Sequence, residues 1–224
     1  MTLSPLGDSA LVIALGSGLD PSALPRGRAL AAALAHDPIA GVVDVVPAFA
    51  TVTVFYDIAH IGTYAQLCAE LETRAQRADA ALLSVATRTV EIPVCYGGDF
   101  GPDLAEVAAR TALTVAEVVA LHYGADYLVH AIGFAPGFAY LGGLPEKIHT
   151  PRRSTPRTSV PAGSVGIGGA QTGVYPRVTP GGWNLIGRTP LKLFDPANTP
   201  PALLGAADRV KFRAITAEEF AAWK

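Results

Sequence analysis

Two hydrophobic patterns divide the chain. In the first part, strand-like and helix-like runs alternate. Ala10–Leu15 is a short apolar run. Leu24–His36 is rich in Ala and Leu and stops at Asp37-Pro38, where the residue before a proline is pushed out of the helical region. Val42–Val46 is β-branched, Pro47-Ala48-Phe49-Ala50 reads as a turn, and Thr51–Phe55 alternates small polar with apolar residues, as a strand does. Ile61–Arg77 has helical spacing, with Ile61, Tyr64, Ala65, Leu67, Cys68 and Leu71 on one face and Glu70, Glu72, Arg74 and Arg77 largely on the other. Thr89–Val94 is again strand-like. The order β-α-β-β-α-β predicts a ferredoxin-like α+β fold.

The second pattern begins near Tyr96-Gly97-Gly98. Of the 23 glycines, 17 lie beyond residue 96, so this part differs in character from the first. Asp103 with Glu106 marks one helix start. Thr114 with Glu117 forms a capping box, in which hydroxyl and carboxylate satisfy free N–H groups, and opens a helix to about His122. Asp126–Ile132 reads as a strand. Short apolar runs follow between glycines and prolines: Val165–Ile167, Gly173–Tyr175, Asn184–Ile186, Leu191–Phe194 and Val210–Phe212. Many short strands with frequent turns predict a compact β-barrel or sandwich. Thr216 and Glu219 start a short last helix ending with Trp223. The expected domains are 1–87 and 88–224.

Composition narrows the function classes. Half of the 224 residues are hydrophobic, enough for a sizeable core. The net charge of −2 argues against a general nucleic-acid binder. The N-terminus lacks the basic stretch of a signal peptide, and no apolar run is long enough to cross a bilayer. Cys68 and Cys95 fit small buried hydrophobes in a reducing cytoplasm. A catalytic thiol is the sharper reading of Cys95, but no His/Asn pattern accompanies it. No His/Cys spacing resembles a zinc site.

The candidate chemistry concentrates in Gly133–Pro196, where turn residues are interleaved with aromatic and basic side chains. Lys147, Arg152, Arg153 and Arg157 sit among prolines: either a rigid loop whose guanidinium forks grip carboxylate or phosphate, or a solvated surface loop. In Gly133–Gly143, Phe134 and Phe138 read as core, while the Tyr140 hydroxyl needs a partner wherever it sits. Gly166-x-Gly168 is a weak dinucleotide match, because Gln171 occupies the third glycine position and no helix follows. Gln171 and Thr172 are hydrogen-bonding candidates or turn residues. Thr179 beside Pro180-Gly181 fits a turn, and Trp183 fits a core plug better than a platform. Arg188 calls for a carboxylate such as Asp195 or Asp208, or for a ligand. His130 lies in an apolar strand just before the Gly133 loop; it is a core residue or a general base.

Four segments resemble a known family: Glu91–Leu104 (EIPVCYGGDFGPDL), Gly133–Leu144 (GFAPGFAYLGGL), Val160–Pro176 (VPAGSVGIGGAQTGVYP) and Pro180–Leu191 (PGGWNLIGRTPL). They are similar to the allophanate hydrolase subunit one family, also called the carboxyltransferase C/D domain family. Gly7-Asp8-Ser9-Ala10 and Val46-Pro47 agree more loosely. Ala139 and Ala207 stand where many members have Pro and Gly. The resemblance implies a small N-terminal α+β domain and a cyclophilin-like C-terminal β-barrel. It also implies a cytoplasmic, B-type subunit of an ATP-dependent amidase that opens 5-oxoproline to glutamate. Its partner would be a C-type subunit related to allophanate hydrolase subunit two. Other members serve urea metabolism as carboxyltransferases or inhibit a histidine kinase without catalysis. On the 5-oxoproline reading, ATP with Mg²⁺ is the cofactor and this chain carries no metal site of its own. Arg152, Arg153 and Arg157 are then anion contacts, Tyr140, Gln171, Thr172 and Tyr175 shape the pocket, and His130 and Arg188 are the catalytic candidates.

Overall fold

The structure, a computed structural model, describes residues 1–18, 20, 22–80 and 88–223. The chain forms two compact units, Met1–Thr87 and Arg88–Lys224. The boundary expected at residue 87 adjoins residues 81–87, which lie outside the described ones.

The first unit is a four-stranded antiparallel sheet with two helices: β1 (Thr2–Pro5), β2 (Ala10–Ala14), α1 (Ala23–His36), β3 (Val42–Ala48), β4 (Thr51–Tyr56) and α2 (Tyr64–Ala80), with sheet order β1-β2-β4-β3. Its core gathers Leu11, Ile13, Val52 and Val54 from the sheet with Leu24, Leu30, Leu34, Leu67 and Leu71 from the helices. Thr63 and Gln66 cap α2 reciprocally, so the helix starts after Ile61 rather than at it. Tyr64 is consequently exposed, and the buried stripe continues through Ala75 and Ala78. Arg26 clamps the Asp79 carboxylate with two hydrogen bonds, tying α1 to the end of α2.

The ferredoxin-like order is not what the sheet shows. Its fourth strand is β1, missed in the sequence because it is short and polar. The strand expected to complete it, β5 (Thr89–Tyr96), pairs parallel with β13 (Arg209–Ile215) and antiparallel with β12 (Asn184–Arg188) in the second unit. An apolar run states that a strand is buried, not which sheet buries it.

The second unit is a closed barrel of seven strands in the order β10-β7-β6-β13-β5-β12-β9. The strands not yet given are β6 (Tyr127–Ile132), β7 (Ala139–Gly142), β9 (Ser164–Gly168) and β10 (Gln171–Val174). A separate two-stranded ribbon pairs β8 (Arg157–Val160) with β11 (Thr179–Gly181). Helices α3 (Leu104–Thr111) and α4 (Val115–Gly124) pack Leu104, Val107 and Val118 into the barrel core with Ile92, Val94, Leu141, Ile167 and Phe212. The capping boxes of α4 and of the last helix, α5 (Ala217–Ala222), form as their sequences require. Leu191–Phe194, expected as a strand, is a loop whose Phe194 makes one isolated bridge to Ala202; Pro190 and Pro196 bound it too tightly for a ladder.

Candidate functional site: an aromatic cleft on the outer wall of the barrel

Alternation along β10 separates two environments. Thr172 points into the barrel, level with Leu141 and Ile167, while Gly173 faces outward opposite Tyr140 and Gly166. The outward glycines make a flat bed for an indole. A Cβ at Gly168 would stand 2.6 Å from the Trp183 ring, and Cβ atoms at Gly166 and Gly173 would fall 3.1 and 3.2 Å from Trp183 atoms. The Gly-x-Gly pattern therefore serves close packing of Trp183 and no phosphate loop. Phe138, Tyr175 and Leu185 complete this outer cluster with Trp183 and Val160. The Phe138 ring meets Tyr140, Tyr175 and Trp183 edge-on, with centroids 4.9, 5.3 and 5.5 Å away.

Above this floor opens a cleft of about 190 Å³, lined by Phe134, Phe138, Tyr140, Tyr175 and Trp183, with Arg152, Arg153, Pro156, Gly181 and Gly182 on the other wall. Trp183 thus combines the two roles weighed for it: it is 5% exposed, and it forms part of the cleft surface. Phe134, read as core, is 61% exposed and stands at the rim with its backbone in the left-handed region. Burial raises the Tyr175 pKa, so the phenol stays protonated at neutral pH.

The basic loop is divided by one carboxylate that sequence reasoning passed over. Asp103, read only as a helix start, does not cap α3 with its side chain. It is 4% exposed and accepts from Arg153 Nη1 (2.9 Å), Arg157 Nη1 (2.8 Å), Arg157 Nη2 (2.7 Å) and the Leu185 N–H (2.7 Å). Arg153 and Arg157 are thereby ion-paired within the chain. Arg157 is not a lining residue, and Arg153 lines the cleft as a fixed wall. The signal that marked Asp103 was its place in a Gly101-Pro102-Asp103 turn ahead of an arginine-rich loop; only the fold shows that the two meet. Arg152 is different. It is exposed and, among the described residues, enters no ion pair; its guanidinium carbon lies 5.8 Å from the Trp183 ring centroid. A cation–π contact at an exposed site contributes about 0.5–1 kcal/mol, whereas hydrogen bonds to a charged group contribute about 1.5–3 kcal/mol. By these magnitudes the indole holds this arginine more weakly than a hydrogen-bonded anion would.

The other expected residues lie elsewhere. Lys147 stands beside Leu113, Glu117, Ala120 and Leu121 in a separate depression. Gln171 is half-buried on β10 and does not line the cleft. Thr172 belongs to a chain of hydrogen bonds inside the barrel. Its hydroxyl donates to the Gly166 carbonyl (2.9 Å) and accepts from His122 Nε2 (3.0 Å), while Tyr96 donates to His122 Nδ1 (2.7 Å). Full burial lowers the His122 pKa to about 3, so this imidazole is neutral. His130 sits at the bulge between Val129 and Ala131, with its Nε2 2.2 Å from where a Gly142 Cβ would be. Burial lowers its pKa, and it is not a lining residue, so the cleft offers it no general-base position. Arg188 donates Nε to the Ala162 carbonyl at 2.8 Å, while Asp195 pairs with Lys192 and Asp208 with Arg88; neither expected carboxylate is its partner. Cys95 is buried with a raised pKa, the state of an inert thiol.

With this geometry in hand, the comparisons with known proteins are specific. The sequence profile of the carboxyltransferase domain, subdomain C and D, matches residues 1–204. The B-type subunit of 5-oxoprolinase from Bacillus subtilis (strain 168) is 45% identical over 99% of this chain and 96% of its own length. Its counterpart from Escherichia coli O157:H7 is 46% identical over 92% of this chain and 93% of its own. The crystal structure of TTHA0988 superposes with a TM-score of 0.81 at 37% identity over 93% of this chain, which spans 40% of that longer chain.

Proposed function

The chain belongs to the carboxyltransferase C and D subdomain family, and from that premise we propose that it is the B-type subunit of a 5-oxoprolinase, a hydrolase that opens the 5-oxoproline lactam to glutamate. The observation that carries this reading is the near full-length match to proteins of that name. The outer-wall cleft supports it, since its size and aromatic floor suit a small planar ring. We read the barrel as cyclophilin-like and the assembled enzyme as cytoplasmic.

A triphosphate does not fit this cleft by itself. Holding one calls for several cations, and of the two lining arginines Arg153 is already bound to Asp103. Among the described residues no group of three or more His, Cys, Asp or Glu is placed to hold a metal ion. ATP dependence on this reading belongs to the assembled enzyme, with a C-type subunit supplying the nucleotide-binding part. This chain's residues bind and orient the lactam: Asp103 fixes the arginine wall, Trp183 and Tyr175 set the floor, and Phe134 shields the mouth. Ring opening breaks the lactam C–N bond and adds water across it, leaving a carboxylate and an amine. Donors placed at the carbonyl oxygen accelerate such a step.

Reconstitution tests the reading. Purified chain, mixed with a homologue of allophanate hydrolase subunit two and the remaining 5-oxoprolinase component, should hydrolyse ATP only when 5-oxoproline is present. Neither partner should do so on its own. A complete assembly that turns over no 5-oxoproline would refute the assignment.

A further inference from the structure

The asymmetry within the arginine loop identifies the ligand class and the way it lies. Of the three arginines grouped in the sequence, two are bound to one buried carboxylate, and the third, among the described residues, enters no ion pair and lies over an aromatic face. We infer that the cleft is a site for a small cyclic carboxylic acid whose carboxylate pairs with Arg152 and whose ring lies on Trp183 between Tyr140 and Tyr175. This rests on the 5-oxoproline reading and deepens it by naming which end of the lactam this chain grips.

Three observations carry it. A guanidinium presents parallel N–H donors to a carboxylate, and Arg152, unlike Arg153, has none of them committed to an acidic side chain among the described residues. The lining residues include no carboxylate; the nearest, Asp103, stands behind Arg153 and is paired with it and with Arg157. The floor is preformed: Trp183 is seated on glycines and 5% exposed, so ligand binding has little of it to order. The same surface is poor in groups that would read the edge of a nucleobase, which favours a small acid over an adenine ring.

The chain offers its own reporter. It has two tryptophans, Trp183 and Trp223, so Trp223→Phe leaves Trp183 as the single indole in the cleft. In that background, 5-oxoproline should change Trp183 emission saturably, whereas 2-pyrrolidinone, the same ring without the carboxylate, and ATP should not. Arg152→Gln should weaken the 5-oxoproline response roughly 10- to 100-fold, and Arg152→Lys should restore part of it. Calorimetric titration of the assembled complex repeats the comparison, and far-ultraviolet circular dichroism checks that the variants fold. Equal responses to 5-oxoproline and 2-pyrrolidinone, a response to ATP alone, an unchanged affinity in Arg152→Gln, or no saturable binding in either chain or complex would each overturn the inference. The two readings fail separately. A complex that opens 5-oxoproline with an unchanged KM in Arg152→Gln removes this inference alone. A cleft that binds the acid in a complex without turnover removes the enzyme assignment alone.

Discussion

Asp103 and His122 show how differently two buried polar residues can be used. Asp103 holds two arginines and a backbone N–H, so truncating it leaves buried donors unpaired. Asp103→Ala should lower unfolding stability by about 2–4 kcal/mol in urea titrations and loosen the cleft wall. Asp103→Asn, which keeps the shape but loses the charge, should cost less. Among the described residues the His122 ring is hydrogen-bonded to the uncharged Tyr96 and Thr172, with Tyr127 and Phe212 packed on it. Its folded pKa, about 3, lies below its unfolded value, so the unfolded chain binds the extra proton. The associated stability is fully present above about pH 6.5 and is lost as pH falls towards 3, at about 1.4 kcal/mol per pH unit. His130, also lowered by burial, adds in the same direction. Urea midpoints should therefore fall steadily from pH 7 to pH 5, and His122→Gln should flatten that slope; a midpoint independent of pH in this range would contradict the burial argument. Neither role was legible beforehand. Asp103 looked like a helix start and His122 like a helix end, because their partners lie 26 to 82 residues away in sequence.

The strands and helices themselves were largely legible where the local pattern was strong. α1, β4, α4 and β13 fall close to the expected ranges, and the capping boxes at Thr114 and Thr216 form. Strands of three or four residues escaped: β7, β8 and β11 are too short to show an alternation, because their form is imposed by the neighbours they pair with. The glycine run is only a weak dinucleotide match in the sequence, and its physical purpose in the fold is to let an indole lie on the barrel wall. Gly168→Ala tests that purpose. The new methyl would meet the Trp183 ring at 2.6 Å, so the ring must lift. The expected outcome is a loss of about 1–3 kcal/mol and a red-shifted Trp183 emission as the indole reaches water. An unchanged spectrum would mean that the bed does not hold the ring.

For the molecule as a whole, the two units carry separate cores, and all cleft residues come from the second. The motifs that resemble the family also lie in that unit, which is why the family was legible while the site was not: motifs record the packing of Trp183 and the Asp103 clamp as faithfully as they record ligand contacts. Among the residues singled out as site candidates, Arg152, Arg153, Tyr140 and Tyr175 line the cleft, and Arg152 alone of these is a cation outside any ion pair among the described residues. The account stands on the claim that this cleft serves 5-oxoproline opening in the assembled enzyme. The most direct measurement is kcat/KM for 5-oxoproline in the reconstituted complex carrying Trp183→Leu. The floor variant should assemble normally and lose about tenfold or more; an unchanged kcat/KM would place the reaction elsewhere.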